Sequence, residues 1–289
     1  MIWEPNDHLP RIHSQLQVRP RECLLMKRLL LLFAALLLAQ FAAAEDWNKT
    51  FNLTGKPDLR VETSDARVTV DTWDQNKIEA HVFVHGYKIG SGGIDIYDHQ
   101  SGDSVVVEVR YPHEVHFFDF GVHNRQVEIE IHMPRQGRLD IKTGDGSVRL
   151  SGLKGEMKVT TGDGGQDIEN VDGVLHARAG DGHIRATGRF DGLSLHTGDG
   201  RIEATAHPQS TMKSEWDVQA GDGSVTLRLP ANFAANVDFA THDGHLDVDV
   251  PVTISGGRQR ENNIRGTMNG GGNLLTIRTG DGSIHVERS

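Results

Sequence analysis

From Leu139 onward the chain alternates apolar and polar positions in short runs, and each run changes phase at one kind of element. The element is TGDGSVRL, Thr143 to Leu150; TGDGGQDI, AGDGHIRA, TGDGRIEA, AGDGSVTL, THDGHLDV and TGDGSIHV follow it. Place each repeated acid (Asp145, Asp163, Asp181, Asp199, Asp222, Asp243, Asp281) at position zero. Apolar residues then stand six and four positions before it and three and five after it. Leu139, Ile141, Val148 and Leu150 around Asp145 are one such set, and only Gln166 breaks the pattern. Two positions before the acid the residue is always Thr or Ala. An eighth, degenerate copy surrounds Asp65, with Leu59, Val61, Thr63, Val68 and Val70 in place and Ser64 and Ala66 where the glycines would be.

Alternation with a period of two marks a strand buried on one face. The switch from even to odd offsets requires a corner at the acid. Each element therefore reads as strand, corner, strand. Flanking glycines suit a corner that needs positive φ or close backbone approach, and the invariant Thr or Ala points to a narrow interior beside it. Successive acids lie 18, 18, 18, 23, 21 and 38 residues apart. A short fixed period means stacked units, none of which buries its own face alone. The expected fold is all-β: a single-stranded, β-helix-like β-solenoid of ~18–23-residue rungs, with rungs ~4.8 Å apart like neighbouring strands. The longer gaps are expected as loops at 207–213, 230–235 and 251–272, the last glycine-rich, polar and mobile.

Upstream the pattern loosens. Segments 78–84, 105–109 and 127–131 alternate strictly, as longer strands do, while 87–93 and 98–103 read as turns. These predict an N-terminal sheet that starts or covers the solenoid; a separate small β domain is the alternative. Residues 26–44, MKRLLLLFAALLLAQFAAA, have the basic start, apolar centre and small-residue end of a secretory signal. The expected divisions are an upstream extension (1–25), a signal (26–44), a lead-in (45–57), an N-terminal β region (58–135) and solenoid repeats (136–289).

Composition narrows the partners. Without the five basic and three acidic residues of 1–44, the chain keeps 25 Lys and Arg against 37 Asp and Glu, a formal charge of −12. That balance disfavours nucleic acid and anionic lipid. The sole cysteine, Cys23, precedes the signal, so the exported part needs no disulfide. The expected location is the periplasm, the cell surface or the medium, with no integral membrane span after signal removal.

The stretch MPRQGRLDIKTGDGSVRLSGLKGEMKVTTGDG resembles a bacterial β-strand-repeat, adhesin-like family of unknown function. Leu153-Lys154-Gly155, Val171-Asp172-Gly173 and Phe190-Asp191-Gly192 supply the family's second, glycine-containing element, and VTVDTWDQNKIEAHVF around Trp73 is also similar. The likeness runs from about Asp58 to the C-terminus. It implies an exported, solenoid-like domain of the cell envelope and carries no family active site.

Three sets of residues are candidates for chemistry. Carboxylates ~5 Å apart repel by about 1 kcal/mol per pair in water and about 3–4 at an effective dielectric of 20. The repeated acids must therefore face solvent or share cations. One reading hydrogen-bonds each Asp to its own turn backbone; the other places calcium along Asp145, Asp163, Asp181 and Asp199, although the motif is not the nine-residue calcium repeat. Histidines form the second set: His113, His116, His123 and His132 in one stretch, and His183, His242 and His245 at corners. No metal-ligand spacing joins them, and outward strand positions account for them. The third set is aromatic, Tyr111, Phe117, Phe118 and Phe120, read either as a binding patch for sugar or protein or as a cap on the open end. No nucleophile elbow, phosphate loop or zinc helix appears. The expectation is a non-enzymatic scaffold or adhesin-like module without cofactor, whose partner is a protein or glycan of the envelope. A carbohydrate-active β-helix and a calcium-stabilised solenoid are the alternatives.

Overall fold

A computed structural model describes residues 45–112, 125–254 and 262–289. Alternation sets the strands. The chain opens with β1 (Glu45–Asn52), a first rung β2 (Asp58–Thr63) and β3 (Arg67–Trp73), then β4 (Lys77–His85), β5 (Asp95–Ser101) and a further rung β6 (Ser104–Arg110) and β7 (Gln126–Pro134). The repeats supply β8 (Gln136–Lys142), β9 (Val148–Ser151), β10 (Lys154–Thr160), β11 (Gln166–Arg178), β12 (Ile184–Thr197), β13 (Ile202–Ala206), β14 (Trp216–Ala220), β15 (Val225–Leu229), β16 (Ala235–Thr241) and β17 (Leu246–Val248). Then come β18 (Thr253–Ile254), β19 (Asn263–Met268), β20 (Leu274–Thr279) and β21 (Ile284–Arg288). The fold is an all-β solenoid.

Strands that precede an acid form a leading face, in the order β6, β2, β8, β10, then the second halves of β11 and β12, then β14, β20 and β16, all parallel. Strands that follow an acid form a trailing face: β7, β3, β9, the first halves of β11 and β12, β13, β15, β21 and β17. Two rungs stand out of chain order. The β6/β7 rung lies outside β2/β3, and the last rung, β20/β21, inserts between β14/β15 and β16/β17. Periodicity reports that rungs stack but not in which order, because every rung offers the same inward residues.

Antiparallel hairpins finish both ends. At the N-terminal end β4 pairs with β7 and β1 with β4 on the trailing face, while β5 pairs with β6 on the leading face. The stretch 98–103, expected as a turn, is mostly strand; the reversal is confined to Gly102 and Asp103, with Gly102 at φ 62°. At the C-terminal end, part of the expected loop 251–272 is a hairpin, β18 and β19, laid antiparallel on β16. Residues 255–261 of that loop lie outside the described residues, as do the predicted extension and signal.

The core is a set of columns. Leu139, Met157, Leu175, Leu193, Trp216, Leu275 and Val237 follow one another through paired registers, all at most 3% exposed. Each such side chain contributes about 1.5–3 kcal/mol on burial. Gln166, the exception to the pattern, does point inward. It is fully buried, and its Nε2 donates to Thr161 Oγ1 at 3.0 Å and to the Arg178 carbonyl at 2.7 Å.

The corners depend on bare backbone. A Cβ on Gly146, Gly164, Gly182, Gly200, Gly223, Gly282 or Gly244 would lie 1.8–2.2 Å from a carbonyl oxygen one rung away, from Ala66 through to Gly282. None of these glycines has positive φ. Of the two reasons anticipated for them, close approach is the operative one. Left-handed geometry appears at the opposite corner instead, at Gly152 (77°), Gly155 (142°) and Gly173 (137°).

That opposite corner also holds a charge network. Asp191 is 9% exposed and accepts from Arg189 Nη1 at 2.6 Å, Arg189 Nη2 at 3.0 Å and Lys213 Nζ at 2.9 Å. Arg189 also pairs with Asp172, which is 3.1 Å from Lys154 Nζ. The network pins the loop after β13 to the β12 bulge. Hydrogen bonds from Arg189 hold the Asp191 carboxyl down at about 2, against an ordinary 3.8.

Two outcomes follow. Gly200→Ala should lower unfolding free energy by about 3 kcal/mol, while Ser64→Ala, at the end of the neighbouring first-glycine column where a Cβ is already present, should stay within about 0.5 kcal/mol. Equal urea midpoints for the two would refute the close-approach argument. A folded pKa below the unfolded one stabilises above the unfolded value and is lost as pH falls through the folded value. The melting-temperature gap between the parent and Asp191→Asn should therefore be full above about pH 4 and close towards about pH 2; a gap independent of pH would show that Asp191 does not act as a paired carboxylate.

Candidate functional site

The stacked corners bring the repeated acids onto one edge. The first glycine of each element makes the rail: Gly144 N–H donates to the Ser64 carbonyl, Gly162 to Gly144, Gly180 to Gly162, Gly198 to Gly180, Gly221 to Gly198, Gly280 to Gly221 and His242 to Gly280, at 2.6–2.9 Å. The acids follow that order: Asp65, Asp145, Asp163, Asp181, Asp199, Asp222, Asp281, Asp243. Threonines lock the rail from inside. Thr197 Oγ1 donates to the carbonyls of Gly180 (3.1 Å) and Gly182 (2.9 Å), and Thr279 Oγ1 to those of Gly221 (3.2 Å) and Gly223 (2.8 Å). Where this position is Thr, the small residue is thus a hydrogen-bond donor as well as a spacer, which the pattern did not reveal.

All eight acids are exposed, and their carboxylates make no hydrogen bond or ion pair with a described residue. The expected bond from each Asp to its own turn is absent from the described residues. The tight inter-rung rail already uses the corner's first N–H, so the side chain is left to solvent. Acids on the strands behave differently. Arg138 pairs with Glu156 at 2.7 Å, Arg185 with Asp167 at 2.9 Å and Arg228 with Glu287 at 2.9 Å, each across one rung. Strand positions can alternate sign between rungs; the corner repeats one residue and cannot. Among the described residues no group of three or more His, Cys, Asp or Glu is arranged to hold a metal ion.

Of the aromatic set, Phe117, Phe118 and Phe120 lie outside the described residues, as do His113, His116 and His123. Tyr111 is half-buried and meets Tyr87 edge-on, ring centroids 5.9 Å apart. Burial first, then the nearby Asp65 charge and Tyr87, raise its phenol above the ordinary value of 10. Both tyrosines line a cleft of about 380 Å³ with Asp65, Arg67, Arg125 and Asp145, at the N-terminal end of the acidic edge. His183 stands 3.7 Å from Asp167, and His242 and His245 are exposed at their corners.

His132 belongs to a group that the sequence reading did not assemble. It is on the outer side of β7 opposite Glu79 of β4, and Glu130, two residues away, is opposite His81. Asn48 of β1 is opposite His81 and Thr50 opposite Glu79. The six line one shallow trough of about 350 Å³. Period-two runs in 78–84 and 127–131 contained the signal, but the pairing of β4 with β7 across a long separation did not follow from it.

Among the described residues no helix is long and apolar enough to cross a membrane. Three solved structures are similar in outline. A proposed cell adhesion protein from Clostridium sporogenes is 13% identical, covering 86% of this chain and 100% of its own, with a TM-score of 0.42. A proposed adhesin from Bacteroides fragilis is 9% identical over 84% and 97%, with a TM-score of 0.39. A proposed lipid binding protein from Parabacteroides distasonis is 12% identical over 84% and 96%, with a TM-score of 0.38. No curated protein matches the chain. The family model Toastrack DUF4097 matches residues 58–221 and 190–287, which together run from β2 into β21 and leave β1 outside, and the chain belongs to that family.

Proposed function

We propose that the protein is an exported, non-enzymatic β-solenoid that serves the cell envelope as a scaffold or adhesin-like binding module, with a protein or glycan as partner. The observation that carries this reading is the uniform stack: residue after residue is spent on a rigid axis with an unpaired, solvent-facing row of carboxylates. The signal-like segment 26–44 directly before β1 supports export. The absence of thiol after Cys23 suits an oxidising compartment. Family membership supports the architecture. The acidic edge serves as a charged border: its like charges keep parallel chains from packing edge to edge, and it needs no cation to fold.

Fractionation of cells that make the native chain tests the reading, together with binding of the purified protein to isolated envelopes. The expected result is a mature N-terminus at Glu45 in the periplasmic, surface or secreted fraction, with saturable envelope binding. A cytoplasmic protein that retains residues 26–44, or one that depolymerises envelope glycan at an ordinary enzymatic rate of about 1 per second or faster, would overturn it.

A further inference from the structure

The trough across β1, β4 and β7 is lined by Asn48, Thr50, Glu79, His81, Glu130 and His132, together with Lys49 and Ala80. Its polar groups converge because antiparallel partners on one face lie ~4.5–5.5 Å apart. Asn48, Thr50 and Glu130 make no side-chain hydrogen bond or ion pair with a described residue. They stand opposite or beside His81 and Glu79 in register. Aromatic rings outside the trough hold its two imidazoles: Trp73 stacks on His132 with centroids 5.2 Å apart, and Phe83 meets His81 at 4.5 Å. Trp73 is itself anchored by a bond from Nε1 to the Lys77 carbonyl at 3.0 Å.

This lining is unusual for a small-molecule site, which is mostly apolar with a few polar groups. Here nearly every lining side chain is polar. The two carboxylates only accept, the amide and hydroxyl both donate and accept, the imidazoles offer ring N–H donors, and no described cation neutralises Glu130. A ligand matched to the trough is rich in hydroxyls, able to donate pairs of bonds to a carboxylate and to accept from Asn48 and Thr50. It carries no negative charge, since Glu130 has no cation among the described residues and would repel it, while Glu79 is already paired with Lys77 Nζ. We infer that the outer face of β1, β4 and β7 is a binding site for a neutral saccharide, with Glu130 and His81 as its central hydrogen-bonding pair. The inference rests on the binding-module reading and narrows its partner to a glycan.

The test is saturation-transfer NMR and calorimetry on the full-length chain with maltotetraose, cellotetraose, mannotetraose and N-acetylchitotetraose, and with tetragalacturonate as the acidic comparison. At least one neutral tetrasaccharide should bind with a Kd of about 1 mM or tighter, and tetragalacturonate should not bind. Glu130→Gln keeps the shape and should weaken binding about tenfold; His81→Ala should do the same. Glu203→Gln, on the trailing face away from the trough, should leave binding unchanged. Unaltered thermal unfolding confirms that each variant folds. Absence of binding by all four neutral probes at about 10 mM, or binding indifferent to both trough variants, overturns the assignment. Envelope binding that persists in Glu130→Gln would retain the module reading while removing this site from it.

Discussion

The structure depends on how closely one corner backbone approaches the next. Where TGDG elements stack, an N–H of one rung meets a carbonyl of its neighbour at 2.6–2.9 Å, and the second glycine leaves no room for a Cβ. Strand ladders on the two faces would tolerate many side chains. The corner does not, and so it fixes the register of both faces at once. A one-residue slip in any strand would expose its inward residues and would also drive a side chain into the carbonyl column. Threonine hydroxyls on the inner side reinforce the same contact at Thr197, Thr241 and Thr279, each placed on two carbonyls of the adjacent rung.

The column has ends, and its composition changes there for a reason. Ala66 carries the Cβ that no interior second glycine could bear, and among the described residues only the β6/β7 rung lies beyond it. At the same end the exposed Lys49 of β1 lies 5.4 Å from the Phe51 ring centroid and pairs with Asp98 of β5. A charge on an edge strand discourages another chain from adding to the sheet. Antiparallel hairpins are natural terminators here, since a short turn joins antiparallel neighbours whereas a parallel neighbour needs a whole rung.

Much of this was legible in residue order. Parity around each acid located both strands and the corner, including the degenerate copy at Asp65, and the glycines of the second corner were found at Gly155 and Gly173. What could not be read was anything decided by pairing between equivalent rungs. The insertion of β20/β21 beneath β16/β17 is one case, because Leu275 and Val237 present interchangeable inward groups. The strands within 251–272 are another: β19 lies between β18 and the outer edge of β16, a pairing that the order of residues does not announce. The trough failed for the same reason, since Glu79 and His132 are remote in the chain and become neighbours only through β4 and β7. The role of the acids was half legible. Repulsion placed them in solvent, but the turn bond expected of Asp gives way to the rail between glycines.

The order of the rungs and the alignment of their corners are therefore the central claim, and cysteine pairs read both directly. In a Cys23→Ser background, Asp222→Cys with Asp281→Cys occupies adjacent rungs, ~4.8 Å apart, within the Cα range of a disulfide. Asp222→Cys with Asp243→Cys lies two rungs apart, about 10 Å, beyond that range although closer in sequence. Mild oxidation should close the first pair within the monomer and leave the second as free thiols. Closure of the 222–243 pair, with 222–281 left open, would contradict it.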